Sequence, residues 1–149
     1  MKIKVIGEKL KSFQTIELIR LNKKKIFEVL ITKKLHEDFI KISGDNSPIH
    51  SNKKFSIKHG YKKPMCHGFL LSVILSNIFG KKFPGGSELC VSQTSYFRSP
   101  FYIGDNLRIE IIPVKKNLKL KFLECEIKIF IKKKIIFNGD AKFVLAFDN

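Results

Sequence analysis

One stretch of fifteen residues, 65–79, sets the strongest limit on how this chain can fold. It has helical length and helical preference. Yet Met65, Phe69, Leu70, Leu71, Val73, Ile74, Leu75, Ile78 and Phe79 put apolar side chains on nearly every side. A helix apolar all round must be surrounded by other elements. One row escapes the pattern: Gly68, Ser72, Ser76 and Gly80 recur every four residues. Such a row runs along one slowly drifting stripe of the helix. Small side chains there admit close approach by a substrate or by another piece of backbone. Gly80 and the turn Pro84-Gly85-Gly86 are expected to end the helix.

What must surround it comes mostly afterwards, as strand upon strand. Leu107, Ile109 and Ile111 alternate with Arg108 and Glu110. Leu118, Leu120 and Phe122 alternate with Lys119 and Lys121, and the phase then slips to Leu123, Cys125, Ile127, Ile129 and Ile131. The slip predicts a bulge near Phe122 and Leu123. Lys132-Lys133-Lys134 predicts a hairpin turn. Phe137, Gly139, Ala141, Phe143, Leu145 and Phe147 form a last alternating face. Lysines at the intervening positions predict a sheet with one wet face. Earlier in the chain, residues 26–31 read as strand. Thr32 can cap a helix through Lys33–Ser43, with a stripe of Leu35, Phe39, Ile40 and Ile42. Gly44-Asp45-Asn46-Ser47-Pro48 stops it. A basic loop is expected over residues 51–63. One apolar helix and a run of antiparallel strands make an α+β fold, not a doubly wound one. The sheet wraps the helix, which is the hotdog arrangement. With 149 residues and no linker, repeat or shift in composition, residues 1–149 read as one domain.

Charge is the other unusual feature. The formal net charge is +16, and 26 of the 29 basic residues are lysine, since arginine occurs only at Arg20, Arg98 and Arg108. Such a field favours anionic partners. It does not read bases, because bidentate recognition is the work of arginine. No helix-turn-helix, zinc-finger or aromatic RNA-binding signature is present. Cys66, Cys90 and Cys125 are far apart and odd in number, which argues against a disulfide framework or a structural zinc site. No apolar run reaches 18 residues, so no membrane span is expected, and a reducing cytoplasm is the expected compartment.

Two short pieces carry chemistry. Asp45 and His50 flank Pro48 in Gly44-Asp45-Asn46-Ser47-Pro48-Ile49-His50. A carboxylate and an imidazole at the ends of a stiffened loop can converge on one water and move protons near neutral pH. In most proteins such a pair is merely solvated. Pro64-Met65-Cys66-His67-Gly68 opens the apolar helix. Backbone N–H groups at a helix start lack partners within the helix and suit a developing oxyanion. The plain alternative is an ordinary helix start with glycine for packing. His36, between Lys34 and Glu37-Asp38, reads as a surface residue, and His59 as exposed.

Together these pieces resemble the MaoC-like (R)-specific enoyl-CoA hydratase and acyl dehydratase family. The resemblance rests on Gly44-Asp45-x-x-Pro48-x-His50, on His67-Gly68 seventeen residues on, and on Ser95 to Asp105, similar to the strand and turn after the helix in that family. It implies reversible hydration of a trans-2-enoyl thioester to the (R)-3-hydroxyacyl thioester. Asp45 and His50 would be the catalytic pair, with acid and base roles left open. The Gly68 N–H would bind the thioester carbonyl. Ser76 would line the substrate site, and His67 would sit there in a structural hydrogen bond. The resemblance implies no metal and no redox cofactor, since coenzyme A or acyl carrier protein is part of the substrate. It also implies a homodimer or larger assembly. Many relatives carry asparagine where this chain has Ser47. Lys53, Lys54, Lys58, Lys62 and Lys63 are candidates to attract the carrier's phosphates. The alternative is a basic hotdog protein that binds nucleic acid or acyl groups without catalysis, against which the Asp45/His50 pair argues.

Overall fold

The computed structural model describes residues 1–7, 14–86 and 88–145. Seven strands form one antiparallel sheet: β1 (Ile3–Ile6), β2 (Lys25–Leu30), β3 (Glu88–Gln93), β4 (Tyr96–Phe97), β5 (Asn106–Asn117), β6 (Phe122–Ile131) and β7 (Lys134–Leu145). Their order is β1-β2-β5-β6-β7-β3, with β4 also on β7. Four helices interrupt the strands: α1 (Lys33–Ser43), α2 (Pro48–Ser51), α3 (Lys53–Lys58) and α4 (Phe69–Lys81). The architecture is α+β, with the long sheet wrapped around α4.

Alternation builds the wrapping. Phe27 and Val29 of β2 stand opposite Ile109 and Leu107 of β5. These four, with Leu123, Cys125, Ile127 and Ile129 of β6 and Phe143 and Leu145 of β7, turn inward onto Leu70, Leu71, Ile74, Leu75, Ile78 and Phe79. Burying one such side chain stabilises the fold by about 1.5–3 kcal/mol. Phe79 meets Phe143 edge to face at 4.8 Å.

The helix is not closed in on every side. Phe69 is 68% exposed and Val73 46%, on the same open stripe as Ser76 and Gly80. Here the expectation of a fully surrounded helix meets an open edge, because this chain's sheet ends at β3. The helix also starts later than residue 65, since residues 65–67 lie outside it, and it runs through Gly80 to Lys81. The expected bulge at Phe122 is a chain reversal instead. Leu118 and Leu120 lie in the turn between β5 and β6 and are exposed. The sheet's register shifts fall at Cys90/Ser92, Pro113/Lys115 and Ile129/Phe130. Lys132, at φ 56, makes the predicted hairpin turn. Phe147 lies outside the described residues.

Candidate active site

Helix α1 delivers the chain to the site. Thr32 caps it, its hydroxyl oxygen accepting from the Leu35 N–H at 3.1 Å. Gly44 ends it at φ 71, donating its N–H to the Ile40 carbonyl at 2.9 Å. A positive φ favours glycine, so the turn that presents Asp45 needs this residue. The Asp45 carboxylate is then fixed by Ser47, whose hydroxyl and backbone N–H donate to Oδ1 at 2.7 and 3.1 Å. These bonds, the hydroxyl first, hold the Asp45 carboxyl below the usual carboxylate range. It is therefore ionised at neutral pH. Ser47 thus shapes the loop through its bonds to the Asp45 carboxylate.

Pro48 opens α2, a single helical turn, so His50 stands on helical backbone and not at the end of an open loop. The expected basic loop that follows is likewise helical at Lys53–Lys58. The His50 Nδ1 lies 2.9 Å from the Met65 carbonyl oxygen. A carbonyl only accepts, so Nδ1 carries the hydrogen, and in the neutral imidazole the lone pair lies on Nε2.

His67 joins the two. It is 3% exposed. Its Nε2–H donates to the Asp45 backbone oxygen at 3.0 Å, and the same nitrogen lies 3.4 Å from Asp45 Oδ2. Its ring stacks on that of His50, centroids 3.7 Å apart at 29°. Burial foremost, then the neighbouring His50, pushes His67 below the ordinary imidazole value, so it is neutral at pH 7. Behind it sits His36, expected at the surface but only 6% exposed. Its Nε2–H donates to the His50 carbonyl at 3.3 Å. It is buried because α1 turns this side inward, onto the segment that carries His50 and His67.

These groups face a cleft of about 460 Å³, which Asp45, His50, Tyr61, His67, Gly68 and Phe97 line. Gly68 stands at the start of α4, and its N–H has no acceptor among the described residues. A Cβ at Gly68 would meet the Phe97 ring at 3.0 Å. Cys66 also lines the cleft. Burial pushes its thiol up to about 12, which removes it as a nucleophile at neutral pH. Ser76 is exposed two turns along α4 and does not line the cleft. Tyr61, Phe97 and Arg98 do line it, although the sequence singles out none of them for the site. Arg98 donates to Asn138 Oδ1 at 2.6 Å and lies over the Tyr96 ring. Its scarcity among 26 lysines was the one available signal.

Asp45, His50 and His67 each place a ligand-type atom within 4.8 Å of the others. His67 Nε2 has its hydrogen committed to the Asp45 carbonyl. One carboxylate oxygen and one imidazole lone pair remain, a set suited to ordering a water.

A family model described as "MaoC like domain" matches residues 15–128. A 3-hydroxybutyryl-CoA dehydratase of Methylorubrum extorquens is 31% identical over 87 residues, 55% of this chain and 55% of that protein. An (R)-specific enoyl-CoA hydratase of Aeromonas caviae is 29% identical over 73 residues, 49% of this chain and 54% of that protein. The chain thus matches about half the length of these curated relatives. The solved (R)-hydratase from A. caviae involved in PHA biosynthesis superposes with a TM-score of 0.80, covering 87% of this chain and 98% of that one at 21% identity. The fold is shared, and it is the hotdog.

Proposed function

The chain belongs to the MaoC-like domain family, and on that premise we propose that it is a hydro-lyase adding water to a trans-2-enoyl thioester. The reverse reaction, dehydration of the (R)-3-hydroxyacyl thioester, uses the same groups. The observation that carries this reading is the pairing at the cleft of an ionised carboxylate with an imidazole whose free lone pair is on Nε2.

The proposed steps follow from those protonation states. Asp45 is already ionised, so it accepts a hydrogen bond from the water and orients it. His50 takes the water's other proton on Nε2 as the oxygen attacks C3 of the enoyl group. The C2=C3 electron pair moves towards the thioester, and its carbonyl oxygen gains negative charge. In this reading the Gly68 N–H donates to that oxygen. The imidazolium of His50 then returns its proton to C2. One water enters, one C–O and one C–H bond form, and neither residue is altered. No redox cofactor or metal takes part in this scheme. Coenzyme A or a carrier protein serves only as the handle of the substrate.

The basic segment fits the same reading. Lys53, Lys54 and Lys58 are exposed on α3, and the segment ends at Tyr61 in the cleft wall. Lys62 and Lys63 stand over the Tyr102 ring, at 4.4 and 5.7 Å. We assign α3 the attraction of the carrier's phosphates. A second copy of the chain is the proposed occupant of the open α4 stripe and the adjoining β3 edge, where Leu89 and Val91 are exposed. A dimer in sedimentation would support this, and a monomer at micromolar concentration would reject it. No helix among the described residues is long and apolar enough to cross a membrane.

The test of the activity is direct. Crotonyl-CoA loses its enoyl-thioester absorbance on hydration. Asp45→Asn and His50→Ala should each lower kcat by roughly 10²–10⁴. Wild-type activity in either variant would overturn the assignment.

A further inference from the structure

Two of the cleft's groups come from separate short elements, and neither element is rigid on its own account. Asp45 sits in a four-residue connection, and His50 on a single helical turn. Something must hold one against the other, because a misplacement of about 1 Å can cost a hundredfold in rate. The contacts of His67 do this from both sides. Its N–H reaches the Asp45 backbone oxygen at 3.0 Å, and its ring face lies 3.7 Å from that of His50. We propose that His67 is a positioning residue that fixes Asp45 and His50 relative to one another, by a donor to the first and a stacking face to the second. The proposal rests on the hydro-lyase reading of the cleft.

The residue type follows from the two contacts. Phenylalanine has the face without the donor. Glutamine has the donor without the face. Histidine has both, and in the neutral form it puts no positive charge beside His50 when His50 takes a proton. The surroundings keep it neutral. Around it stand His36 at 5.4 Å and Phe39 at 4.9 Å from α1, His50 from α2, and Asp45 from the preceding connection. Its Nδ1 is buried without a partner among the described residues, so no second bond pulls the ring out of this orientation. His36 supports the same arrangement from behind by holding the His50 carbonyl.

A double-mutant cycle tests this. His67→Phe should fold and unfold cooperatively, lose about tenfold to a hundredfold in kcat on crotonyl-CoA, and leave KM within about threefold. His67→Gln, which keeps a donor, should lose less. In the Asp45→Asn background, His67→Phe should cost almost nothing further, because the two act as a unit. Wild-type kcat in His67→Phe, a loss confined to KM, or losses that multiply in the double variant would each overturn the proposal. No hydration of crotonyl-CoA by the wild-type chain would instead overturn the hydro-lyase reading. The positioning claim is then decided without turnover, by nitrogen-15 NMR of the imidazoles in the wild-type chain. His67 should be the neutral Nε2–H tautomer at pH 8 and should titrate below the ordinary imidazole value. Titration at the ordinary imidazole value near 6.5, or an Nδ1–H tautomer, would overturn it.

Discussion

Gly68→Ala separates packing from catalysis at the start of α4. The backbone there is at φ −56 and ψ −43, ordinary helical values that alanine adopts without strain. Loss of unfolded-state freedom should therefore stabilise the variant by about 0.4–1 kcal/mol. Against this stands the Phe97 ring, with Cδ1 and Cε1 both 3.0 Å from the new Cβ. The ring must yield by a few tenths of an ångström. It is 45% exposed, so it can turn outward, and an off-rotamer side chain costs about 0.5–1.5 kcal/mol. The two effects nearly cancel. The net change should stay within about 1 kcal/mol, or about 2–4 °C in Tm for a chain of this size. Catalysis has no such compensation. A methyl group beside the Gly68 N–H crowds the position proposed for the thioester oxygen. Removing one such donor costs about 10²–10³ in kcat, and crowding it should cost at least about tenfold. Calorimetry and the crotonyl-CoA assay on the same preparation give both numbers. An unchanged Tm with kcat/KM within twofold of wild type would refute the idea that substrate comes close to this amide.

Other consequences are open to measurement. Gly139→Ala should behave oppositely to Gly68→Ala, since its Cβ would sit on the Thr94 carbonyl oxygen, which is backbone and cannot turn away. A loss of at least about 1–3 kcal/mol in urea unfolding is expected, and wild-type stability would contradict it. His67 has a folded value below that of free imidazole, so in acid the unfolded chain binds more protons. Its contribution is present above about pH 6.5 and is lost as pH falls further. The urea midpoint should therefore drop between pH 7 and 5, and His67→Phe should flatten that drop. Asp45 acts in a lower window, below about pH 4, because its carboxyl is held down by Ser47. Changing Lys53, Lys54 and Lys58 together to glutamine should raise KM for crotonyl-CoA at low ionic strength, leave kcat alone, and remove most of the salt dependence. An unchanged KM at both low and high salt would refute the assignment to α3.

Much of this molecule is written locally. Thr32 and Gly44 bound α1 because capping is an interaction within a few residues. The alternating runs of β5, β6 and β7 mark their inward faces because a strand repeats every two residues. The Asp45/His50 spacing and the His67-Gly68 pair belong to the same level, since each is a short piece of chain with its chemistry on display. The slip at Phe122 was legible as an irregularity, but period alone does not separate a bulge from a reversal. Leu118 and Leu120 alternate like strand residues while they stand in a turn.

Tertiary structure decided the rest, because burial depends on which distant element covers a side chain. His36 sits between charged neighbours in the sequence and reads as exposed, yet α1 lays it against the His50 segment. Phe97, from β4, is what occupies the space left by Gly68. The apolar helix demanded a cover on all sides, and the sheet of one chain supplies it on all but one. The amino-acid sequence by itself determined the wrapped helix, the abundance of lysine and the spacing of Asp45 and His50. Only the folded chain set which nitrogen of His50 is free, that Asp45 is held ionised, and that a buried histidine stands between them. Tautomers, ionisation and stacking depend on distances between segments that the sequence keeps apart.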